Sequence, residues 1–412
     1  VTQHAAPIVL DPAARDADAE HRLLRAQGPA ARIDILGVKA WSVTDPVLLK
    51  ELLTSPDVSK DGRRHWPGFD EAVQTWPLAL WVAATNMFTA YGGDHRRLRR
   101  IVAPALSARR MAALKPVVED IVDGLLDVLE ATPPGGSAEL RERLAYPLPI
   151  AVIGHLMGVP EDRGTDFRAL VDGVFDTMLT PEQAAGNNQR LYAMLEDLIA
   201  TKRADPGDDL TSALIAVRAE EGGEGGPALS EGELRDTLLL MINAGYETTV
   251  NLVDQAVTTL LTHPEQLAHV REGRATWADV VEETLRHEPP VKHLPLRFAV
   301  TDIPLPDGRT ILKGEAILAS YAAANRHPGW HRDPDGFDVT RLTKEHLAFG
   351  HGIHFCLGAA LARLEGETAL RAFFGRFPDA ELAVRAGELE PMASLISNGH
   401  RSLPVRLRPA EA

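Results

Sequence analysis

Cysteine occurs once in 412 residues, at Cys356, so no intramolecular disulfide can staple this chain and its fold must rest on a buried core. The chain is long enough to supply one. The thiol stands in the run Phe349-Gly350-His351-Gly352-Ile353-His354-Phe355-Cys356-Leu357-Gly358. Apolar neighbours and flanking glycines let a large flat ligand come close to the backbone, and a thiolate in such a low-dielectric loop requires a positive partner such as iron. Two other readings stay open at this point. A free cysteine in isolation is most often a small buried hydrophobe. His351, His354 and Cys356 are also good zinc ligands, although their crowding on one loop lacks the distant second pair of a structural zinc site.

Most of the chain carries apolar residues at helical spacing. Val117, Ile121, Leu125 with Leu126, and Leu129 share a face that ends at Pro133-Pro134-Gly135-Gly136, and further helices are expected over 168–178 and 188–202. The acidic, glycine-rich run from Glu220 to Pro227 reads as a solvated loop. After it, Ser230-Glu231-Gly232-Glu233 has the form of a capping box, and a long apolar helix is predicted to run from there to His263-Pro264. Strand signals cluster at 296–303, 310–312 and 316–320, with Pro306-Asp307-Gly308 as a hairpin turn. The expectation is a mainly α chain, one large domain over 1–412, with a small β-sheet region around 296–320.

Inside the long helix, Ala244-Gly245-Tyr246-Glu247-Thr248-Thr249 follows the apolar run Leu238-Leu239-Leu240-Met241-Ile242. A glycine in a helix interior costs about 1 kcal/mol relative to alanine. An acid beside an alcohol adds polar groups that need partners, although helix packing and a back-bonded hydroxyl would account for the glycine and the threonine. Glu283 and Arg286 lie three apart on one helical face, as surface ion pairs commonly do, ahead of His287-Glu288-Pro289-Pro290. His95 and Arg99 share a face of the basic segment His95-Arg96-Arg97-Leu98-Arg99.

In this order, from Trp41 to Leu403, these segments resemble the cytochromes P-450. The cysteine run matches the family's haem-binding loop at Phe349, Gly352, Cys356 and Gly358. Ala244, Gly245, Glu247 and Thr248 match its oxygen-binding motif, and Glu283 with Arg286 its Glu-x-x-Arg pair. The resemblance implies the cytochrome P-450 fold, haem b ligated by the Cys356 thiolate, and propionate contacts from His95, Arg99, Arg297 and His354. It further implies that Gly245 leaves room for dioxygen, that Thr248 hydrogen-bonds it and that Glu247 helps deliver protons; Tyr246 has no assigned role. Glu283 and Arg286 would be buried and structural, with a third partner in either Arg326 or Arg341. By the same analogy the substrate meets Met87, Phe88, Leu240, Asn243, the turn Lys292-His293-Leu294, and the tail at Ile396-Ser397.

Forty-three basic against fifty-eight acidic side chains leave a formal charge of −15, which disfavours nucleic acid as a partner. No run of eighteen apolar residues occurs, so no membrane anchor is expected, and the single cysteine suits a reducing cytoplasm. Nothing resembles a flavin or nicotinamide fold or a ferredoxin's cysteine set, so electrons are expected from a separate ferredoxin and ferredoxin reductase. Arg96, Arg97, Arg100, Arg109 and Arg110 form either a docking patch for that donor or a solvated helix face. The implied reaction is hydroxylation of an unactivated C–H bond of an apolar small molecule with dioxygen. Residues 287–296 and 394–403 look like a bacterial subgroup that acts on steroids or macrolides, and steroids are the expectation. The alternatives are macrolide or other polyketide hydroxylation, oxidative phenol coupling, direct use of peroxide, and non-catalytic haem sensing or carriage; peroxide users resembling that type lack the acid/alcohol pair.

Overall fold

The computed structural model describes residues 6–159, 164–219 and 229–409, so the loop expected from Glu220 to Pro227 lies outside the described residues. Six of the helices frame the site: α1 (Gly92–Val102), α2 (Ala108–Glu130), α3 (Pro147–Met157), α4 (Glu231–Thr262), α5 (Trp277–His287) and α6 (Ala359–Arg376). At the start of α4, Ser230 Oγ accepts from the Glu233 N–H while Glu233 accepts from the Ser230 N–H, which makes the capping box in full. At its end His263 closes the helix and Pro264 opens the next. Its 32 residues make a rod about 48 Å long. Neighbours cover that rod on most sides, α3 and α6 among them, so most of its residues are buried, polar ones such as Asp236, Asn251 and Asp254 included.

Helix boundaries depart from the apolar pattern where the terminal turns are polar. α2 begins before its apolar stripe and runs through Pro116. The helix expected over 168–178 is Gly164–Phe175, and the one expected over 188–202 is Pro181–Ala204, opened by a Thr180–Gln183 capping box.

The sheet expected around 296–320 supplies two strands of a six-stranded one. Strands β1 (Ile8–Val9), β2 (Ala30–Ile35), β3 (Val38–Val43), β4 (Val58–Ser59), β5 (Leu294–Ala299) and β6 (Ala316–Ala319) pair in the order β1-β2-β3-β6-β5-β4. The first four were silent in the sequence for a local reason. β2 and β3 reverse through Leu36 and Gly37, at φ 53° and 90°, a turn whose twist suits a hairpin but whose leucine gives no Asn-Gly or Asp-Gly signal. Ile303–Pro304 and Thr310–Ile311 form a separate hairpin around the expected turn, and Ser137–Glu139, Pro404–Arg406 and Glu381–Leu382 make a third sheet. Among the described residues no helix is long and apolar enough to cross a membrane.

Glu283 and Arg286 are fully buried on α5, joined by two 2.8 Å contacts. Arg286 also donates to the carbonyls of Pro334 and Gly336, each at 2.7 Å. Of the two candidate third partners, Arg341 lies 3.4 Å from Glu283 Oε1, whereas Arg326 contacts Asp18, Glu288 and Asp335. The pair thus clamps the segment before the cysteine loop onto α5.

Candidate cofactor and substrate cavity

The cysteine loop is shaped by two glycines with positive φ, Gly350 at 71° and Gly352 at 70°. A Cβ on Gly352 would come within 2.6 Å of the Leu53 carbonyl oxygen, so the loop presses against the rest of the fold as no other residue would allow. The Cys356 N–H donates to the Phe349 carbonyl at 2.8 Å, which curls the loop just before α6. Burial pushes the Cys356 thiol up, opposed by the Gly358 N–H and by the cations Arg99 and Arg363. Those influences alone do not make a thiolate; a cation bonded to the sulfur would. The zinc grouping is not assembled: His351 is exposed, and no cluster of metal-binding side chains occurs among the described residues.

Cys356 lines a cavity whose surface is mostly apolar, with a few polar groups converging on it, as small-molecule sites have. From the cysteine side the walls include Phe349, His354 and Gly358, with His95 and Arg99 of α1 at one edge. From the other side α4 presents Leu240, Ala244, Gly245 and Thr248, and Met87, Phe88 and Leu294 complete the surface. Sequence reasoning did not find Ile153, Val291 and Glu365, which line the same space. Eight expected residues do not line it: Asn243, Glu247, Lys292, His293, Arg297, Gly352, Ile396 and Ser397. Ile396 is wholly buried in the core, and Asn243 lies one residue out of phase with the cavity face of α4.

Gly245 answers to packing as well as to the cavity, because a Cβ there would lie 2.4 Å from Ile153 Cδ1 on α3. Thr248 Oγ1 donates to the Ala244 carbonyl at 2.6 Å, which holds the hydroxyl on the cavity face. Glu247 points elsewhere. It is 1% exposed, with Oε1 accepting from Asn251 Nδ2 at 3.0 Å and Oε2 unpartnered. Burial pushes its carboxyl up to about 7, with Arg141 opposing and Asp172 reinforcing the rise. Beyond Asn251 the polar chain continues through Arg141, 3.2 Å away, to its buried partner Asp254, and from Asp254 to half-buried His400 at 2.9 Å.

The edge near α1 is a cationic pit. His95 and His354 rings are 4.2 Å apart, and both nitrogens of His95 and Nη1 of Arg297 are buried without a partner. Burial, with Arg99 and Arg96, holds His95 down at about 4. None of His95, Arg99, Arg297 and His354 is ion-paired among the described residues, in a chain whose net charge is −15. Orphaned buried donors without an acid are built for an anion. A thiol donor, apolar walls and this pit fit haem, whose two propionates are such anions. On the outer side Arg96, Arg100 and Arg109 are exposed, Arg97 pairs with Glu233, and Ile353 and Phe355 present apolar surface.

A family model described as cytochrome P-450 matches residues 188–381. The 2-hydroxy-5-methyl-1-naphthoate 7-hydroxylase of Streptomyces carzinostaticus is 41% identical over 406 residues, covering 98% of each chain. The 6-deoxyerythronolide B hydroxylase of Saccharopolyspora erythraea is 38% identical, covering 93% of this chain and 94% of that one. Among solved structures, CYP154A1 from Streptomyces coelicolor is 68% identical with a TM-score of 0.94, covering 97% of this chain and 100% of that one. A testosterone-bound CYP154C4 from a Streptomyces species is 38% identical with a TM-score of 0.93, covering 99% and 100%.

Proposed function

This chain belongs to the cytochrome P-450 family and is a P-450 monooxygenase whose cofactor is haem b, and from that premise we propose that it hydroxylates an unactivated C–H bond of a bulky apolar molecule, a steroid first. The observation that carries the proposal is that Cys356 and the α4 residues Gly245 and Thr248 wall one apolar cavity. Bound there, haem supplies the iron and redox chemistry by which dioxygen is activated. Cys356 is the residue to hold the iron, and His95, Arg99, Arg297 and His354 are those to hold the propionates. Met87, Phe88, Leu240 and Leu294 orient the substrate by shape and apolar contact. Thr248 keeps its hydroxyl oxygen on the cavity face as an acceptor, its own proton held by the Ala244 carbonyl. Glu247, poised near neutrality, is the group to pass protons to that face by turning its carboxyl, and the same burial keeps bulk water away. Two electrons come from a ferredoxin and its reductase in the cytoplasm.

The likeness to a testosterone-bound relative supports the steroid reading, and the likeness to the 6-deoxyerythronolide B hydroxylase supports a macrolide or other polyketide as the second. The test is a spectral titration of the ferric protein with testosterone, a macrolide aglycone and a fatty acid, scoring loss of the iron-bound water. Turnover with ferredoxin and reductase then follows, read by product mass. A steroid that shifts the spectrum and gains one oxygen atom is the expected result. A response to the macrolide alone moves the assignment to the second reading, and a coupled product without added oxygen overturns hydroxylation.

A further inference from the structure

One buried cation beside the pit, Lys60, acts on His354 and has no acid of its own among the described residues. Lys60 directly follows β4, whose Ser59 pairs with Phe298 of β5, so the next position in that antiparallel register sets it opposite Arg297. It is 2% exposed, although lysine is almost never buried unless paired. Its Nζ donates to the Pro295 carbonyl at 3.0 Å and lies 3.6 Å from the centroid of the Phe88 ring. One carbonyl and one ring face satisfy only part of an ammonium with three donors. The charged side chain acting on it is Arg297, a second cation, and among the described residues Lys60 has no ion-pair partner. Two neighbouring buried cations with no acid between them are costly, and burial drives the lysine towards neutrality. An anion delivered with the ligand removes both costs. Lys60 packs on Phe88 and acts, with Arg297, on His354, and both Phe88 and His354 line the cavity at the cationic pit, so the cofactor's edge is what supplies that anion.

We propose that Lys60 binds a haem propionate together with Arg297, and that the ammonium so retained holds Phe88, and hence the Met87–Phe88 wall of the substrate pocket, against the cofactor. The loop is already tied at its other side, because Asn86 Nδ2 donates to the Asp236 carbonyl of α4 at 2.8 Å and Asn86 Oδ1 accepts from the Phe88 N–H at 2.9 Å. Lys60 is then the tie that cofactor strengthens, because a propionate beside it keeps the ammonium charged over the Phe88 ring. Cofactor binding thereby firms the substrate wall.

The inference rests on the haem-binding reading, and its test keeps the two apart. The parent protein, Lys60→Gln and Lys60→Met are each loaded with haem or with haem dimethyl ester, whose propionates carry no charge, and ferric cofactor transfer to excess apomyoglobin is timed without substrate or electron donor. With haem, both variants are expected to release at least about ten-fold faster than the parent, the size of a lost charged hydrogen bond, and with the ester all three are expected to agree within roughly two-fold. Half-saturation for a steroid in the spectral titration is expected to rise several-fold in Lys60→Gln. Should Lys60→Met not fold, Lys60→Gln, one bond shorter than lysine, keeps a neutral donor for Pro295. Equal acceleration with both cofactors would reduce Lys60 to a packing role and overturn the inference, as would unchanged release with haem. A parent that takes up no haem sinks the family reading and this inference together.

Discussion

One buried acid shows how much a single side chain can hold in reserve. Glu365 on α6 lines the cavity with both carboxyl oxygens unpartnered, and burial alone raises its pKa from 4.5 to about 8. Between those values the unfolded chain binds fewer protons than the folded one, so stability falls as pH rises, and the loss is complete above about 8. Glu365→Gln is therefore expected to raise the unfolding midpoint by several degrees near pH 9 and to leave it unchanged near pH 4, in melts of the holoprotein. Thr248 acts on the reaction rather than on stability. Thr248→Ala is expected to raise the peroxide released per turnover several-fold with the carbon monoxide spectrum of the thiolate haem intact, while Thr248→Ser stays near the parent; unchanged coupling in the alanine variant would remove Thr248 from proton delivery.

Between elements, the cavity depends on how closely α3 and α4 approach, and that approach is set at Gly245 against Ile153. Gly245→Val is expected to destabilise by about 1–3 kcal/mol through overpacking, and Ile153→Ala in the same chain to recover part of it. A double-mutant cycle in urea without coupling between the two positions would show that the helices do not meet there. The clamp between α5 and the segment before the cysteine loop is the other fixed joint. Removing one partner of the buried Glu283/Arg286 pair leaves an uncompensated charge, so Glu283→Ala is expected to cost about 3–5 kcal/mol. The measurement is denaturant unfolding, with haem retention read alongside.

For the whole molecule, a net charge of −15 makes the exposed arginines near the cysteine loop a local exception. Reduction by an acidic ferredoxin is expected to slow as ionic strength rises, and Arg100→Glu to slow it most at low salt. A salt-independent rate would place the docking face elsewhere. Features carried by contiguous residues were legible without coordinates: the Cys356 loop with its glycines, the Ser230 capping box, and the Ala244–Thr248 motif on a helix that Pro264 ends. Each is a local rule of backbone geometry or chemistry, so neighbours in sequence suffice to state it. Other features required distant segments to meet. The choice of Arg341 over Arg326, the burial of Lys60 beside Arg297, and the recruitment of β1 to β4 into the sheet all depend on strand register and on which chains pack together. Helix phase belongs here too: it turns Glu247 and Asn243 away from the cavity that Ala244 and Thr248 face, one residue or about 100° off. The sequence by itself determined which atom can hold iron and which helix stands over it. Only the tertiary structure decided which buried charges meet and which are left waiting for a ligand, because pairing in a low-dielectric interior is a property of positions in space rather than of order along the chain.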